Sequence, residues 1–105
     1  MVNEILMHRG TTLVRRMTLA PGEAMPWHHD PFHRVTVVLR GDAVAIELYE
    51  GGEMQHIPVQ PGQVDWDEPT AQVHRGVNVG QHLYEEVTVF FLDSPEAIPQ
   101  PEWVE

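Results

Sequence analysis

Seven histidines stand in a chain of 105 residues, and three of them fall within six positions, His28-His29-Asp30-Pro31-Phe32-His33. Imidazole and carboxylate are the side chains that bind first-row divalent metals, and imidazole also exchanges protons near neutral pH. Residues i and i+2 of a strand point the same way, so His28 and Asp30 are expected to share one face and His29 to take the other. His74 stands far along the chain from this cluster. Gln72, two residues earlier, shares its face on a strand. Arg34 follows the cluster directly and brings a fixed positive charge to it. His8, His56 and His82 stand alone in polar surroundings and are expected to face solvent. Trp27, just before the cluster, is expected to be a core or rim aromatic.

Other chemistries are closed off by composition. Without cysteine there is no disulfide framework, thiolate zinc site or cysteine nucleophile. All six basic residues are arginine, which removes Schiff-base and P-loop lysines. The only serine, Ser94, lies in a proline-rich segment, a poor place for a hydrolase nucleophile. A net charge of −10 repels phosphate backbones and anionic membrane surfaces, so neither nucleic acid nor membrane is an expected partner. No segment approaches the roughly 20 apolar residues of a membrane helix, and the reading is a cytoplasmic protein with a small-molecule ligand.

The elements that must position these residues are short strands. Runs rich in Val, Ile, Thr and Leu alternate with Gly and Pro punctuation, and helical periodicity is almost absent. Strands are expected over Glu4–His8, Thr12–Leu19, Pro26–His28, Arg34–Arg40, Ala43–Tyr49, Met54–Val59, Gln63–Asp65, Gln72–Val79 and Glu85–Leu92. The acidic run Asp65-Trp66-Asp67-Glu68 is expected as a solvated loop that could edge the site's mouth. Asn78 is expected at a turn or strand end. Nine strands at about ten-residue spacing argue an all-β barrel or sandwich. One domain is expected over residues 1–93, followed by a proline-rich tail over 94–105. Within Arg34–Leu39 and Glu85–Leu92 both faces are apolar, whereas a half-solvated strand alternates apolar with polar. One barrel interior covers one face, so a homodimer is expected, unless the tail folds back through Ile98, Trp103 and Val104.

The stretch from Gly22 through Trp27-His28-His29-Asp30 and Arg34 to Gly41 resembles the first motif of the cupin superfamily. That motif runs Gly, five residues, His-x-His, three or four residues, Glu, six residues, Gly. Gly22, His28 and Gly41 match in position. Pro61-Gly62 followed by His74-Arg75-Gly76-Val77-Asn78 is similar to the second motif, with its His-x-x-x-Asn spacing. The resemblance covers Thr12 to Leu92. It implies a cupin-type double-stranded β-helix, a jelly-roll barrel, whose mouth holds a divalent transition metal (Fe, Mn, Ni or Zn) on three His and one Glu. Here Asp30 replaces the second histidine and Arg34 stands in the glutamate slot. Three readings follow. In the first, His33 replaces the glutamate, Arg34 points away, and His28, His33 and His74 hold the metal with Asp30. In the second, Arg34 turns inward onto Asp30, and a metal-free, anion-binding pocket with Arg34 and Gln72 results. In the third, the histidines have no functional role.

Overall fold

The computed structural model describes residues 1–97. Nine strands carry most of that length: β1 (Val2–Arg9), β2 (Thr12–Leu19), β3 (His28–Asp30), β4 (His33–Arg40), β5 (Ala43–Leu48), β6 (Gln55–Pro58), β7 (Val64–Asp67), β8 (Thr70–Asn78) and β9 (Tyr84–Phe91). They correspond one for one to the expected strands, with ends displaced by a few residues. One assignment needs correction. Asp65-Trp66-Asp67 is not loop but edge strand, because its backbone pairs with β4 from Arg34↔Asp67 to Val37↔Val64. Alternation then turns Asp65 and Asp67 toward the interior and Trp66 outward. Residues 98–105, among them Ile98, Trp103 and Val104, lie outside the described residues.

The strands form two sheets, β1-β2-β9-β4-β7 and β3-β8-β5-β6, with every pairing antiparallel. The chain changes sheet at nearly every connection, so residues distant in sequence become neighbours. His28, for instance, pairs with His74. Such crossings need sharp turns. Gly41 between β4 and β5 has φ +132°, and a Cβ there would approach Tyr84 Cδ1 to 2.8 Å. Only glycine fits both conditions. At the end of β8, Asn78 is fully buried yet fully used: its amide donates to the carbonyls of Leu19 and His82 and its oxygen accepts from Gly80 N.

The interior is layered along the strands. The inward residues of β2 read Leu13, Arg15, Met17, Leu19; those of β9 read Tyr84, Glu86, Thr88, Phe90. Leu13 and Phe90 join Phe32 and Leu92 in one apolar cluster. Met17, Leu19, Val38 and Tyr84 make a second. Burying side chains of this size contributes about 1.5–3 kcal/mol each, so the two clusters supply much of the fold's apolar stabilisation. Between them runs a polar belt containing Arg15, Arg34, Glu86 and Thr88.

Candidate metal centre

β3 is only three residues long, and alternation buries His28 and Asp30 while His29 takes the opposite face. β8 lies beside it and sets His74 directly opposite His28, with ring centroids 4.7 Å apart. His28, Asp30 and His74 each offer one ligand atom, and these atoms lie within 4.8 Å of one another. His74 Nε2 is 2.9 Å and His28 Nε2 3.4 Å from the same oxygen, Asp30 Oδ2. The far side of each ring is braced by backbone: His28 Nδ1 lies 2.8 Å from the Pro26 carbonyl and His74 Nδ1 2.8 Å from that of Gln72. Donation of Nδ1–H to a carbonyl leaves Nε2 as the ligand atom, the supporting arrangement typical of metal-bound imidazoles. Two imidazoles and one carboxylate therefore suit a divalent transition metal.

Electrostatics tie the three groups together. Both nitrogens of His74 face acceptors, an arrangement that the imidazolium satisfies completely. The hydrogen bond to Asp30 raises the His74 pKa, against the opposing effect of burial. At Asp30 burial disfavours the charge, but hydrogen bonds from His28 and His74 and the charges of His28 and Arg34 outweigh it. Its carboxyl is held well below the usual carboxylate range.

Arg34 faces inward, its Nη2 3.3 Å from Asp30 Oδ2 and 4.0 Å from Asp67 Oδ2. Of the readings left open by the sequence, the one that turns Arg34 inward onto Asp30 matches this geometry, and the one that points Arg34 away and puts His33 in the glutamate's place is corrected. β4 begins at His33, and strand alternation lets only one of the two neighbours face the interior. Arg34 takes that side because Asp30 offers it a partner. His33 goes outside, where Nδ1 lies 2.8 Å from Glu68 Oε2 and the ring packs on Trp66. It cannot share an ion with His28 and His74. Gln72 lines the cavity and braces His74 through its main-chain carbonyl. Trp27 also turns outward, on the far face of the four-stranded sheet, with the Arg75 guanidinium 4.2 Å from its ring centre.

Two residues of the site escaped the sequence reading, Arg15 and Glu86. Both line the same cavity, which measures about 720 Å³. Glu86 accepts from the Tyr84 hydroxyl at 2.8 Å and from Thr88 Oγ1 at 2.6 Å. Burial, then the charge of Glu86, pushes the Tyr84 pKa far up, so its hydroxyl stays a donor. Arg15 packs over the Phe90 ring at 4.9 Å, with Nη2 4.0 Å from Glu86 Oε2. Its pKa is lowered, by burial first; Glu86 and Asp30 oppose this and Arg34 adds to it. A signal was present: Arg15-Arg16 and Glu85-Glu86 are like-charged pairs inside strands, where one member of each must face inward.

A two-sheet antiparallel jelly roll with a ligand-sized cavity between its sheets is a double-stranded β-helix, and this chain has that fold, the cupin fold. Solved structures carry the comparison. A cupin domain from Bordetella pertussis Tohama I aligns with a TM-score of 0.73 at 17% identity, over 85% of this chain and 90% of that one. A protein with a double-stranded β-helix domain from Klebsiella pneumoniae subsp. pneumoniae MGH 78578 aligns at 0.69 and 20% identity, over 99% and 84%. An oxalate oxidase in complex with the substrate analogue glycolate aligns at 0.65 and 23% identity, over 90% of this chain but 46% of that one. No family model matches the sequence, and no curated protein matches it. The likeness is one of fold.

Proposed function

We propose that the barrel holds a divalent transition metal on His28, Asp30 and His74 and acts on, or binds, a small organic molecule in the cavity above it. The observation that carries this reading is the convergence of two backbone-braced imidazoles on one buried carboxylate. When bound, such a metal supplies Lewis-acid or redox chemistry. The protein's own residues do the rest. His28 and His74 keep Nε2 aimed inward because Nδ1 is fixed. Asp30 supplies negative charge without a proton. Met17, Leu19 and Val38 give the cavity an apolar wall. Glu86, held by Tyr84 and Thr88, is the carboxylate placed to accept a proton from a bound molecule.

The test is metal retention. Purified chain incubated with Fe, Mn, Ni or Zn and then desalted is expected to keep one equivalent by elemental analysis. His74→Ala should weaken retention by more than the roughly tenfold that loss of a supporting partner costs, because it removes a ligand. A wild-type chain that retains no transition metal overturns the reading. One observation favours a second reading. Arg34 Nη2 lies 3.3 Å from Asp30 Oδ2, and this ion pair would neutralise Asp30 without a metal. The cavity is then a metal-free binding pocket, and elemental analysis separates the two.

A further inference from the structure

We infer that Arg15 and Arg34 together form a clamp for a single carboxylate group of the cavity's ligand. Only the assignment of this cavity as the binding site is assumed from the preceding reading; the metal is not.

The two arginines stand on β2 and β4, the strands that flank β9. Arg15 stands opposite Thr88 and Arg34 opposite Phe90, so the two backbones lie two strand spacings apart and two residues out of step, about 12 Å, a distance that two guanidinium side chains can close from either side. Both line the cavity, and both side chains are largely buried, 14% and 15% exposed. Neither is fully paired. Arg15 Nε and Arg34 Nη1 are buried and have no hydrogen-bond partner. Arg15 Nη2 is 4.0 Å from Glu86, too far for a hydrogen bond. Arg34 shares its one close oxygen, Asp30 Oδ2, with His28 and His74. Under-paired buried guanidinium groups are costly unless something else satisfies them.

The outer arginines show the contrast. Arg16, Arg40 and Arg75 each place Nε 2.5–2.9 Å from a glutamate oxygen. Five carboxylates line the cavity beside Arg15 and Arg34, yet among the described residues only Asp30 comes within hydrogen-bond distance of either guanidinium. Guanidinium recognises a planar carboxylate through two parallel N–H donors. A doubly charged phosphate fits less well, because Asp65 and Asp67 also line the cavity and repel each added negative charge.

The experiment is an NMR titration of chelator-treated protein, with ¹⁵N-labelled arginine and acetate as the probe. Saturable movement of the Arg15 and Arg34 Nε–H signals is expected, while those of Arg16, Arg40 and Arg75 stay in place as internal references. Arg15→Met should weaken acetate binding by about tenfold or more, the worth of a charge-assisted hydrogen bond. It should also leave the thermal midpoint unchanged or higher, because the buried cation serves a ligand and not the fold. The clamp is overturned if acetate moves neither signal saturably, if Arg15→Met binds acetate as well as the wild type, or if that variant fails to fold. Preference for inorganic phosphate over acetate overturns it as well. Because the titration is run without metal, its failure is distinct from failure to retain a transition metal.

Discussion

Arg34 places a fixed positive charge inside the barrel, 3.3 Å from Asp30 Oδ2, where a metal held by His28, Asp30 and His74 would meet it. A unit charge about 4 Å from a divalent ion is repelled by roughly 8 kcal/mol at an effective dielectric near 20, enough to set metal affinity. Arg34 nevertheless faces Asp30, not solvent. Replacing it reverses the sign of the interaction and restores a carboxylate. Arg34→Glu is therefore expected to tighten Zn or Mn binding by at least about tenfold in a competitive chelator titration. His33→Ala, on the outer face beside Glu68, should leave metal affinity unchanged. An Arg34→Glu chain that binds metal no better than the wild type would mean that the side chain does not control the site. A loss of metal on changing His33 would return that residue to the ligand set.

At the scale of the element, two strands carry paired like charges and use both members. In β2, Arg15 faces the cavity and Arg16 the outside; in β9, Glu86 faces in and Glu85 out. The outer partners interlock, with Glu85 bridging Arg16 at 2.5 Å and Arg40 at 2.9 Å across three adjacent strands. Hydrogen bonds from Arg40 and Arg16 lower the Glu85 pKa below its ordinary value. A depressed carboxylate stabilises the fold above its unfolded pKa of about 4.3, and that contribution is lost as pH falls through the folded value. Glu85→Gln should lower stability to urea at pH 7 by about 1 kcal/mol, because Arg40, 59% exposed, and Arg16, 30% exposed, let solvent screen these pairs although Glu85 itself is buried. The difference from wild type should shrink toward zero in strongly acid solution. A difference that persists undiminished there would show that packing, not charge, is the source. Neighbouring like charges within covered strands signal this division of labour in the sequence, but not which member faces in. That depends on register against β9 and β4.

At the scale of the whole molecule, the outer face of the five-stranded sheet is the unfinished surface. Met7, Val14, Val89, Val35 and Trp66 stand in register across all five strands. Val37, Val64 and Val87 form the next row, and Phe91 stacks on Trp66. Trp66 and Val64 are 54% and 61% exposed, so the patch is open to solvent at its β7 edge. Apolar faces of this extent are commonly covered by a partner. We expect a second copy to cover it, because a two-fold contact matches apolar rows to apolar rows and sets the flanking Arg16–Glu4 and Arg40–Glu85 pairs at its rim. Light scattering should then report a mass near twice 12.0 kDa, and Val37→Glu should shift it toward 12.0 kDa. A wild-type mass near 12.0 kDa would show that the patch does not mediate self-association.

The strand pattern and the shared face of His28 and Asp30 were legible in the sequence, because alternation and turn chemistry are local properties; His74 was reached only through the motif resemblance, since its pairing with His28 is long-range. The two-faced apolar character of β4 and β9 was legible from the same alternation. The direction of Arg34, the exile of His33, the inward turn of Arg15 and Glu86, and the strand character of Asp65-Trp66-Asp67 were not. Each depends on which partner lies across the sheet or the cavity: Asp30 for Arg34, Glu68 and Trp66 for His33, β4 for the acidic run. A period of two says that neighbours point apart. Only the packing of the two sheets decides which of them meets the cavity.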